Sequence, residues 1–352
     1  MISALVRMRR FARRVLTRPR LDLPLMVSLL ALAMIGLVTL YSAGDKNVSL
    51  VIGQSVRLGL GATMLVLVSR VPPSVLRSWT PWLYAVSVAL LVVVAIFGEG
   101  HGASRWLDLG VVRFHQTEVV MLKHLFVAAM LIAVPAALIA EQPDLGTALL
   151  VAAAGVFVMF LAGLQWWRIG AMLATLAAIT PLAWHFMHDY QRQRLLTLLN
   201  PESDPLGTGW HIIQSEIAVG SGGLFGKGLY HGTQSRLEFL PEHTTDFIMA
   251  VFAEEFGLLG VIVLIALYAF IIGRALWIAT LARDTYSRLL AGAIGMSFFV
   301  YVLVNGGMIT GLLPVVGVPL PLVSYGGTSA VSLLTGFGVL MSVYAHRKLL
   351  DK

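Results

Sequence analysis

Asp246 is the residue whose type and position most directly suggest chemistry. It stands where the polar stretch LPEHTT gives way to a long apolar run that begins at Phe247. A carboxylate inside a membrane-length apolar segment costs roughly 2.5–3.5 kcal/mol at the helix centre and less near an interface, so it indicates a functional site. Alternatively, Thr245 and Asp246 cap the apolar helix by accepting hydrogen bonds from its free N–H groups. These residues alone favour the two interpretations equally.

Two further carboxylates, Glu118 and Asp144, stand at the starts of apolar segments, and each alone is more typical of a helix cap. Three carboxylates at the outer ends of predicted spans nevertheless favour a shared acidic cavity that water can reach. In a preceding loop, Arg105 is suited to bind a phosphate bidentately, although Arg105 and Trp106 also fit simple interface anchors. No set of histidines and carboxylates has the spacing typical of a zinc site.

The composition is that of a polytopic membrane protein. Of 352 residues, 58% are hydrophobic and 12% charged, with a mean hydropathy of +0.83, whereas soluble domains carry about 25% charged residues. The net charge of +7 does not indicate nucleic-acid binding, because seven arginines in an N-terminal arm, residues 1–22, account for it. An arm of this kind before an apolar segment predicts a cytoplasmic N-terminus and an uncleaved first helix. Cysteine is absent, which excludes disulfides.

Because about 20 apolar residues cross a bilayer as a helix, the sequence predicts an all-α transmembrane bundle of nine segments. The segments cover residues 23–42, 48–69, 81–98, 119–140, 145–164, 169–187, 247–273, 287–312 and 325–345. Basic residues near positions 70–77, 168, 274–288 and 346–348 place those ends in the cytoplasm. The predicted regions are the arm 1–22, helices 23–187, a large extracytoplasmic loop 188–246, helices 247–346 and a cytoplasmic tail 347–352.

This topology contains one contradiction. Glu118 and Glu141 are both predicted outside, yet only the segment 119–140 separates them. Either this segment is re-entrant, or a partner helix is missing, or half of the loop assignments are inverted.

Two loops combine turn-forming residues with polar side chains. Five glycines between Gly220 and Gly228 permit tight turns beside Lys227. They superficially resemble a phosphate cradle, but no strand precedes them and no Walker pattern is present. Near the C-terminus, prolines between Pro314 and Pro321 interrupt the helix, and such backbone at membrane depth is tolerated where it is buried in protein or lines a cavity. An ordinary proline-rich turn fits this stretch equally well.

Six ordered motifs resemble those of the SEDS family (shape, elongation, division and sporulation). They are QPDLGT (142–147), HDYQRQR (188–194), IIQSEIAVGSGGLFGKG (212–228), EFLPE with TDF (238–247), AEEFGLLG (253–260) and LPLVSYGGTS (320–329). The resemblance implies a multi-pass enzyme of the bacterial cytoplasmic membrane that polymerises lipid II into peptidoglycan. HDYQRQR favours the family members of cell elongation and rod-shape maintenance over the division members.

By this resemblance Asp246 is the general base for an acceptor sugar hydroxyl, and undecaprenyl diphosphate is the leaving group. No cofactor is firmly implied, although Arg105 or a divalent cation, Mg or Mn, is compatible with stabilising the diphosphate. The implied partners are a class B penicillin-binding protein and the elongation machinery. The other residues predicted to bind substrate are Trp106, Glu118, Asp144, Gln214, Ser215, Lys227, Glu242 and Ser324.

Two departures from the family pattern concern one region. The family's Gln-Pro-Ser-Glu-x-x-Lys pattern is here Gln116-Thr117-Glu118 with Met121 at the lysine position. One segment also stands where the family, usually of ten helices, has two. Together with the topological contradiction, this favours an internal deletion near residue 121. The alternative functions are a transporter of lipid-linked precursors and a non-catalytic scaffold for the penicillin-binding protein.

Overall fold

The computed structural model describes residues 21–97, 122–142, 144–165, 189–204, 207–236 and 242–347, with 167–168, 170–171, 174–175, 178 and 184–185. Within these residues all regular elements are helical, which confirms the predicted all-α fold class. Three of the predicted substrate-binding residues, Arg105, Trp106 and Glu118, lie outside the described residues, as do residues 1–20 of the arm.

Eight long helices coincide with eight of the nine predicted segments, and three shorter helices belong to the large loop. In chain order they are α1 (Leu23–Ala43), α2 (Val48–Ser69), α3 (Pro73–Phe97), α4 (Leu122–Glu141), α5 (Leu145–Leu161), α6 (Asp189–Leu199), α7 (Thr208–Ser221), α8 (Thr233–Arg236), α9 (Ile248–Thr280), α10 (Thr285–Ile309) and α11 (Gly327–Ala345). Among the described helices, α1, α2, α3, α9, α10 and α11 are long and apolar enough to cross a membrane, and α4 and α5 contain shorter apolar stretches. Most of the predicted segment 169–187 lies outside the described residues.

The start of α3 differs from the prediction. The apolar run predicted a span that begins at residue 81. The helix instead begins at Pro73 and includes Pro81 in its interior. The chain therefore enters this span eight residues earlier than hydropathy indicates, directly after the turn that follows α2.

The buried core joins α1, α9, α10 and α11. Phe298 of α10 lies between Tyr268 and Phe337, with ring centroids 5.6 and 5.1 Å apart. The last helix also packs closely on α2, where a Cβ on Gly338 would lie 2.7 Å from the Leu65 carbonyl oxygen. Large apolar side chains such as Leu30 point outward, as expected for helices that contact lipid.

Contacts between helix ends divide the bundle into two poles. At the basic pole, where α1 begins and α9 ends, Asp22 accepts hydrogen bonds from Arg274 at 3.0 and 2.7 Å. Arg283 donates to the Arg347 carbonyl at the same pole. At the other end, called the site pole, α1 and α10 end, and Asp246 lies just before α9. The bundle thus places Arg274, Arg283 and Arg347 at the end opposite the predicted catalytic carboxylate.

Helices α3 and α4 run parallel to each other. The Tyr84 hydroxyl donates to the Leu131 carbonyl at 3.1 Å. Further along both segments, about two turns beyond Tyr84 and about three turns beyond Leu131, the Gln142 side-chain amide donates to the Leu91 carbonyl at 3.1 Å. Both helices therefore end at the site pole. This geometry favours the missing-partner interpretation of the topological contradiction.

Helix α9 is broken at Gly257, and the glycine-rich loop, residues 220–228, forms hydrogen bonds with the backbone groups at the break. Gly257 has φ 65° and ψ −168°, which interrupts the helix. The carbonyls of Glu254 and Glu255 accept instead from the N–H groups of Lys227 and Gly228, at 2.9 and 3.0 Å. The freed N–H groups of residues 258 and 259 donate to the carbonyls of residues 223 and 224, at 2.9 and 3.1 Å. The glycine cluster therefore completes a broken helix, which explains its composition without a phosphate.

We expect Gly226→Ala to be more destabilising than Gly223→Ala. Both glycines have positive φ, but a Cβ on Gly226 would collide with the Glu255 carbonyl, whereas a Cβ on Gly223 meets open space. The left-handed backbone costs each alanine about 1 kcal/mol, and overpacking adds about 1–3 kcal/mol at Gly226 alone. Thermal unfolding of the two purified variants compares them, and equal midpoints would contradict the described packing of this loop.

Candidate functional site

Asp246 lies in a turn, residues 242–247, that leads into α9. Phe247 occupies the N-cap position of that helix, and its side chain makes no capping hydrogen bond. The Thr245 hydroxyl donates to Glu242 Oε2 at 2.7 Å. These contacts disfavour the interpretation of Thr245 and Asp246 as helix caps. Asp246 itself is partly exposed.

Three successive backbone carbonyls of this turn are anchored by the C-terminal part of the chain. The carbonyls of Thr244, Thr245 and Asp246 accept from the Tyr325 N–H (2.9 Å), the Ser324 hydroxyl (2.5 Å) and the Asn305 side-chain amide (2.8 Å), respectively. Asn305 is fully buried. These anchors fix the backbone position of Asp246.

The proline-rich loop, residues 313–326, supplies two of these anchors and is itself tightly held. The buried Leu322 adopts φ 61°, and a Cβ on Gly36 of α1 would lie 2.7 Å from its carbonyl oxygen. Gln54 of α2 donates to the Ser324 carbonyl at 3.2 Å and accepts from the Gly326 N–H at 3.3 Å. This stretch is thus a buried loop beside the Asp246 turn, which favours the predicted site-lining role over an ordinary turn.

Ser324 was predicted to bind substrate, but its placement favours a positioning role. Its side chain is buried, and its hydroxyl both donates to the Thr245 carbonyl and accepts from the Leu320 N–H at 2.7 Å. We expect Ser324→Ala to lower the free energy of unfolding by about 1–3 kcal/mol and to slow turnover by displacing Asp246. The matched control is Ser55→Ala, because the exposed Ser55 hydroxyl bonds only its own helix. Equal thermal midpoints and rates for the two variants would contradict this role.

Asp144 caps α5, and the first turn of α5 packs against the same loop. Its carboxylate accepts from the Thr147 N–H at 3.0 Å and from the Thr147 hydroxyl at 2.7 Å. A Cβ on Gly146 would lie 2.5 Å from the Val316 carbonyl oxygen. Asp144 and Asp246 therefore both adjoin the proline-rich loop at the site pole, as the shared-cavity hypothesis requires for these two carboxylates.

The predicted substrate-binding residues of α7 are largely inaccessible. Ser215 is fully buried, and its hydroxyl contacts the carbonyls of Ile212 and Ile309, each at 2.9 Å. Gln214 is also buried. Ser215 thus fixes α7 against the end of α10, which favours a structural role over the predicted contact. Glu242 is the first residue of the Asp246 turn; it is exposed and accepts a hydrogen bond from Thr245.

Lys227 forms an ion pair rather than standing free. Its Nζ lies 2.6 Å from Glu254 Oε1 and 2.9 Å from the Thr233 hydroxyl. Glu254 is completely buried and also accepts from the Thr233 N–H at 2.8 Å. A ligand bound by Lys227 would have to share its ammonium group with this carboxylate. Among the described residues there is no group of three or more side chains suited to hold a metal ion.

His211 of α7 stacks on Phe247, with ring centroids 5.7 Å apart and an interplanar angle of 13°. Burial lowers the pKa of His211, and the negative charges of Glu242 and Asp204 oppose this effect only in part. Because the unfolded chain then binds a proton at higher pH than the folded chain does, stability is complete above the ordinary histidine pKa and falls as the pH drops below it.

We therefore expect that lowering the pH from about 6.5, the ordinary pKa of histidine, to about 5 decreases the thermal midpoint of the wild-type chain. The midpoint of His211→Phe should decrease by less over the same range. Phenylalanine keeps the stacking on Phe247 and removes the titration. Parallel pH profiles for the two proteins would contradict the described surroundings of His211.

Comparison with protein families decides the classification. The sequence profile of the cell cycle protein family FTSW_RODA_SPOVE matches residues 22–132 and 120–349. The chain belongs to this family. Its two matches overlap at residues 120–132, which is the region where one segment replaces two expected helices.

The relatives share nearly the full length of the chain. The peptidoglycan glycosyltransferase MrdB of Escherichia coli (strain K12) is 49% identical, over 94% of this chain and 95% of the relative. A solved chain from the study "Structural coordination of polymerization and crosslinking by a peptidoglycan synthase complex" matches with a TM-score of 0.77 at 30% identity, covering 93% of this chain and 98% of that chain. The rod shape determining protein RodA of Thermus thermophilus matches with a TM-score of 0.67 at 27% identity, covering 94% and 98%.

The length of the first of these alignments bears on the deletion. Since 94% of 352 residues is about 331, about 22 of the 353 aligned positions have no counterpart in this chain. That number equals the length of about one membrane-spanning helix. Three observations therefore favour the absence of one helix from this chain: the unmatched positions in the alignment, the overlap of the two family matches and the parallel course of α3 and α4.

Two polar residues that position the site were missed by the sequence analysis. Asn305 and Gln54 lie inside predicted spans and are buried, and both hold the segments around Asp246. The signal that could have found them is the one applied to Asp246, since polar side chains within membrane helices are costly and mark function.

Proposed function

We propose that this chain is a peptidoglycan glycosyltransferase that polymerises lipid II into β-1,4-linked glycan strands during cell elongation. The observation that carries the proposal is the anchored turn of Asp246. Three consecutive carbonyls are fixed by Tyr325, Ser324 and Asn305, and a partly exposed carboxylate follows at the site pole. Membership of the family and the 49% identity to a peptidoglycan glycosyltransferase support the reaction class.

In the proposed reaction Asp246 acts as general base. Its carboxylate takes the proton from the 4-hydroxyl of an acceptor GlcNAc while that oxygen attacks C1 of the donor MurNAc. The bond from C1 to the diphosphate oxygen breaks with inversion, and undecaprenyl diphosphate leaves with the electron pair. A base near the membrane face can reach a sugar that a lipid holds there, and a positioned base typically contributes about 10²–10⁴-fold to the rate.

The proposed orientation places the basic pole in the cytoplasm and the site pole outside. Arg70 and Arg77, Arg274 and Arg283, and Arg347 lie at the ends of spans on the basic side, and such residues remain cytoplasmic. The chain then spans the bacterial cytoplasmic (inner) membrane several times, with its N-terminus in the cytoplasm. A class B penicillin-binding protein is the proposed partner, which is consistent with the structural likeness to a peptidoglycan synthase complex.

Vesicles that contain fluorescent lipid II separate this function from the alternatives. An enzyme yields glycan strands that a β-1,4-specific muramidase digests. A transporter exposes lipid II on the opposite leaflet without forming strands, and a scaffold binds its partner while doing neither. Strands that resist the muramidase, or exposure without strands, would contradict the proposed glycosyltransferase.

A further inference from the structure

Arg57 is a cation inside α2, a helix long and apolar enough to cross a membrane. It is the tenth of 22 residues in that helix. An ionisable side chain at such depth marks a ligand pathway by default. Its Nη1 is buried and has no hydrogen-bond partner among the described residues. An unpaired guanidinium N–H in this setting is costly unless a ligand accepts its hydrogen bond.

The guanidinium of Arg57 lies beside the segment that anchors Asp246. Its central carbon is 4.4 Å from the centroid of the Tyr325 ring, and its Nε is 3.3 Å from where a Cβ on Gly327 would stand. Helical side chains lean towards the helix N-terminus, which in α2 is the site pole. A Cβ on Gly53, one turn nearer that pole, would lie 3.7 Å from the Tyr325 hydroxyl. Tyr325 therefore runs along the face of α2 that carries Arg57.

Two hydrogen bonds connect this face of α2 to the Asp246 turn. Gln54, three residues before Arg57 and on the same face of α2, donates to the Ser324 carbonyl, and the Ser324 hydroxyl donates to the Thr245 carbonyl. Stacking on Tyr325 occupies a face of the guanidinium and leaves its N–H edge for hydrogen bonds. The adjacent N-terminus of α11 has no side-chain cap and adds partial positive charge.

We propose that Arg57 binds a phosphate group of a polyprenyl diphosphate lipid. The guanidinium fork matches the oxygens of a phosphate bidentately, and a site at this depth between membrane helices suits a ligand with a lipid tail. The inference rests on the proposed function, because it assigns Arg57 to the diphosphate of the same lipid-linked substrate whose sugars meet Asp246.

Binding of undecaprenyl diphosphate to the full chain in nanodiscs tests the assignment, with Asp246→Asn in every sample to prevent turnover. We expect Arg57→Gln to weaken binding about 10–100-fold and to leave binding of undecaprenol, which has no phosphate, unchanged. The matched control is Arg77→Gln at the basic pole, where the arginine also faces a tyrosine ring, Tyr286, at 6.0 Å. This control should bind undecaprenyl diphosphate like the parent chain.

Three results would overturn the proposal. Unchanged diphosphate affinity in a folded Arg57→Gln chain would reduce Arg57 to a structural contact of Tyr325. An equal loss of binding for phosphatidylglycerol would assign Arg57 to ordinary phospholipid headgroups. If Arg57→Gln does not fold, Arg57→Lys replaces it, and unchanged affinity there would show that the bidentate fork is not used. The binding assay needs no polymerisation, so the two proposals can fail separately. If the wild-type chain makes no glycan while Arg57→Gln still weakens diphosphate binding, only the proposed function is overturned.

Discussion

Asp246→Asn should reduce the rate of lipid II polymerisation by about 10²–10⁴-fold, the usual contribution of a general base. Asparagine has nearly the same shape but cannot accept the proton of the acceptor hydroxyl. We expect the variant to fold, because the carbonyls of residues 244–246 anchor the turn and the substitution leaves them in place. The measurement is the single-turnover rate with fluorescent lipid II, beside the thermal midpoint of the same sample.

The matched control for this prediction is Asp45→Asn. Asp45 is an exposed carboxylate in the turn between α1 and α2, at the same pole, and its φ of 49° is tolerated by asparagine. We expect its rate to equal that of the wild type. A similar loss in both variants would indicate a general effect of negative charge at the site pole instead of a base at Asp246.

Glu254→Leu should be the most destabilising single substitution described here, lowering the free energy of unfolding by about 3–5 kcal/mol. The fully buried carboxylate accepts from Lys227, from the Thr233 N–H and hydroxyl, and from the Gln234 N–H. Its removal leaves an ammonium group and two backbone donors without their acceptor. Thermal and denaturant unfolding in detergent measure the loss.

A double variant separates this structural role of Lys227 from the predicted substrate contact. Replacing both charges, in Glu254→Leu with Lys227→Met, should recover much of the stability, because an apolar pair avoids the buried unpaired charge. If Lys227 serves only the ion pair, the double variant keeps the KM of the wild type for lipid II. A raised KM in a stable double variant would instead support the predicted substrate contact. Failure to recover any stability would contradict the ion pair as the main partner of Glu254.

The sequence predicted the helices well because each leaves a local signal. A run of about 20 apolar residues fits only one common structure in a bilayer, and eight predicted segments coincide with described helices. The prediction was wrong at the start of α3, because the apolar run alone set the expected boundary at residue 81. The helix begins at Pro73, in a more polar stretch, and continues through Pro81, as neighbouring helices in membrane bundles permit.

The site was predictable only in part, because its contacts join residues that are far apart in the chain. Asp246 and the proline-rich loop each carry a recognisable composition. That Ser324 holds the carbonyl of Thr245, 79 residues away, does not follow from either stretch. Nor does the glycine-rich stretch around Lys227 indicate that this lysine forms an ion pair with Glu254, 27 residues further along the chain. Arg57 is recognisable in the sequence as a charge inside an apolar span. Its proximity to Tyr325, and so to the segment that anchors Asp246, is seen only in the structure.

Polymerisation of labelled lipid II by the unmodified chain, together with its cognate penicillin-binding protein, tests the central claim most directly. The partner alone serves as the control for its own polymerase activity. Glycan strands that require the chain are the predicted result, and they would show that a chain shorter by about one helix of about 20 residues still forms a working site. A folded, partner-bound chain that yields no strands would contradict the glycosyltransferase assignment and favour a scaffold.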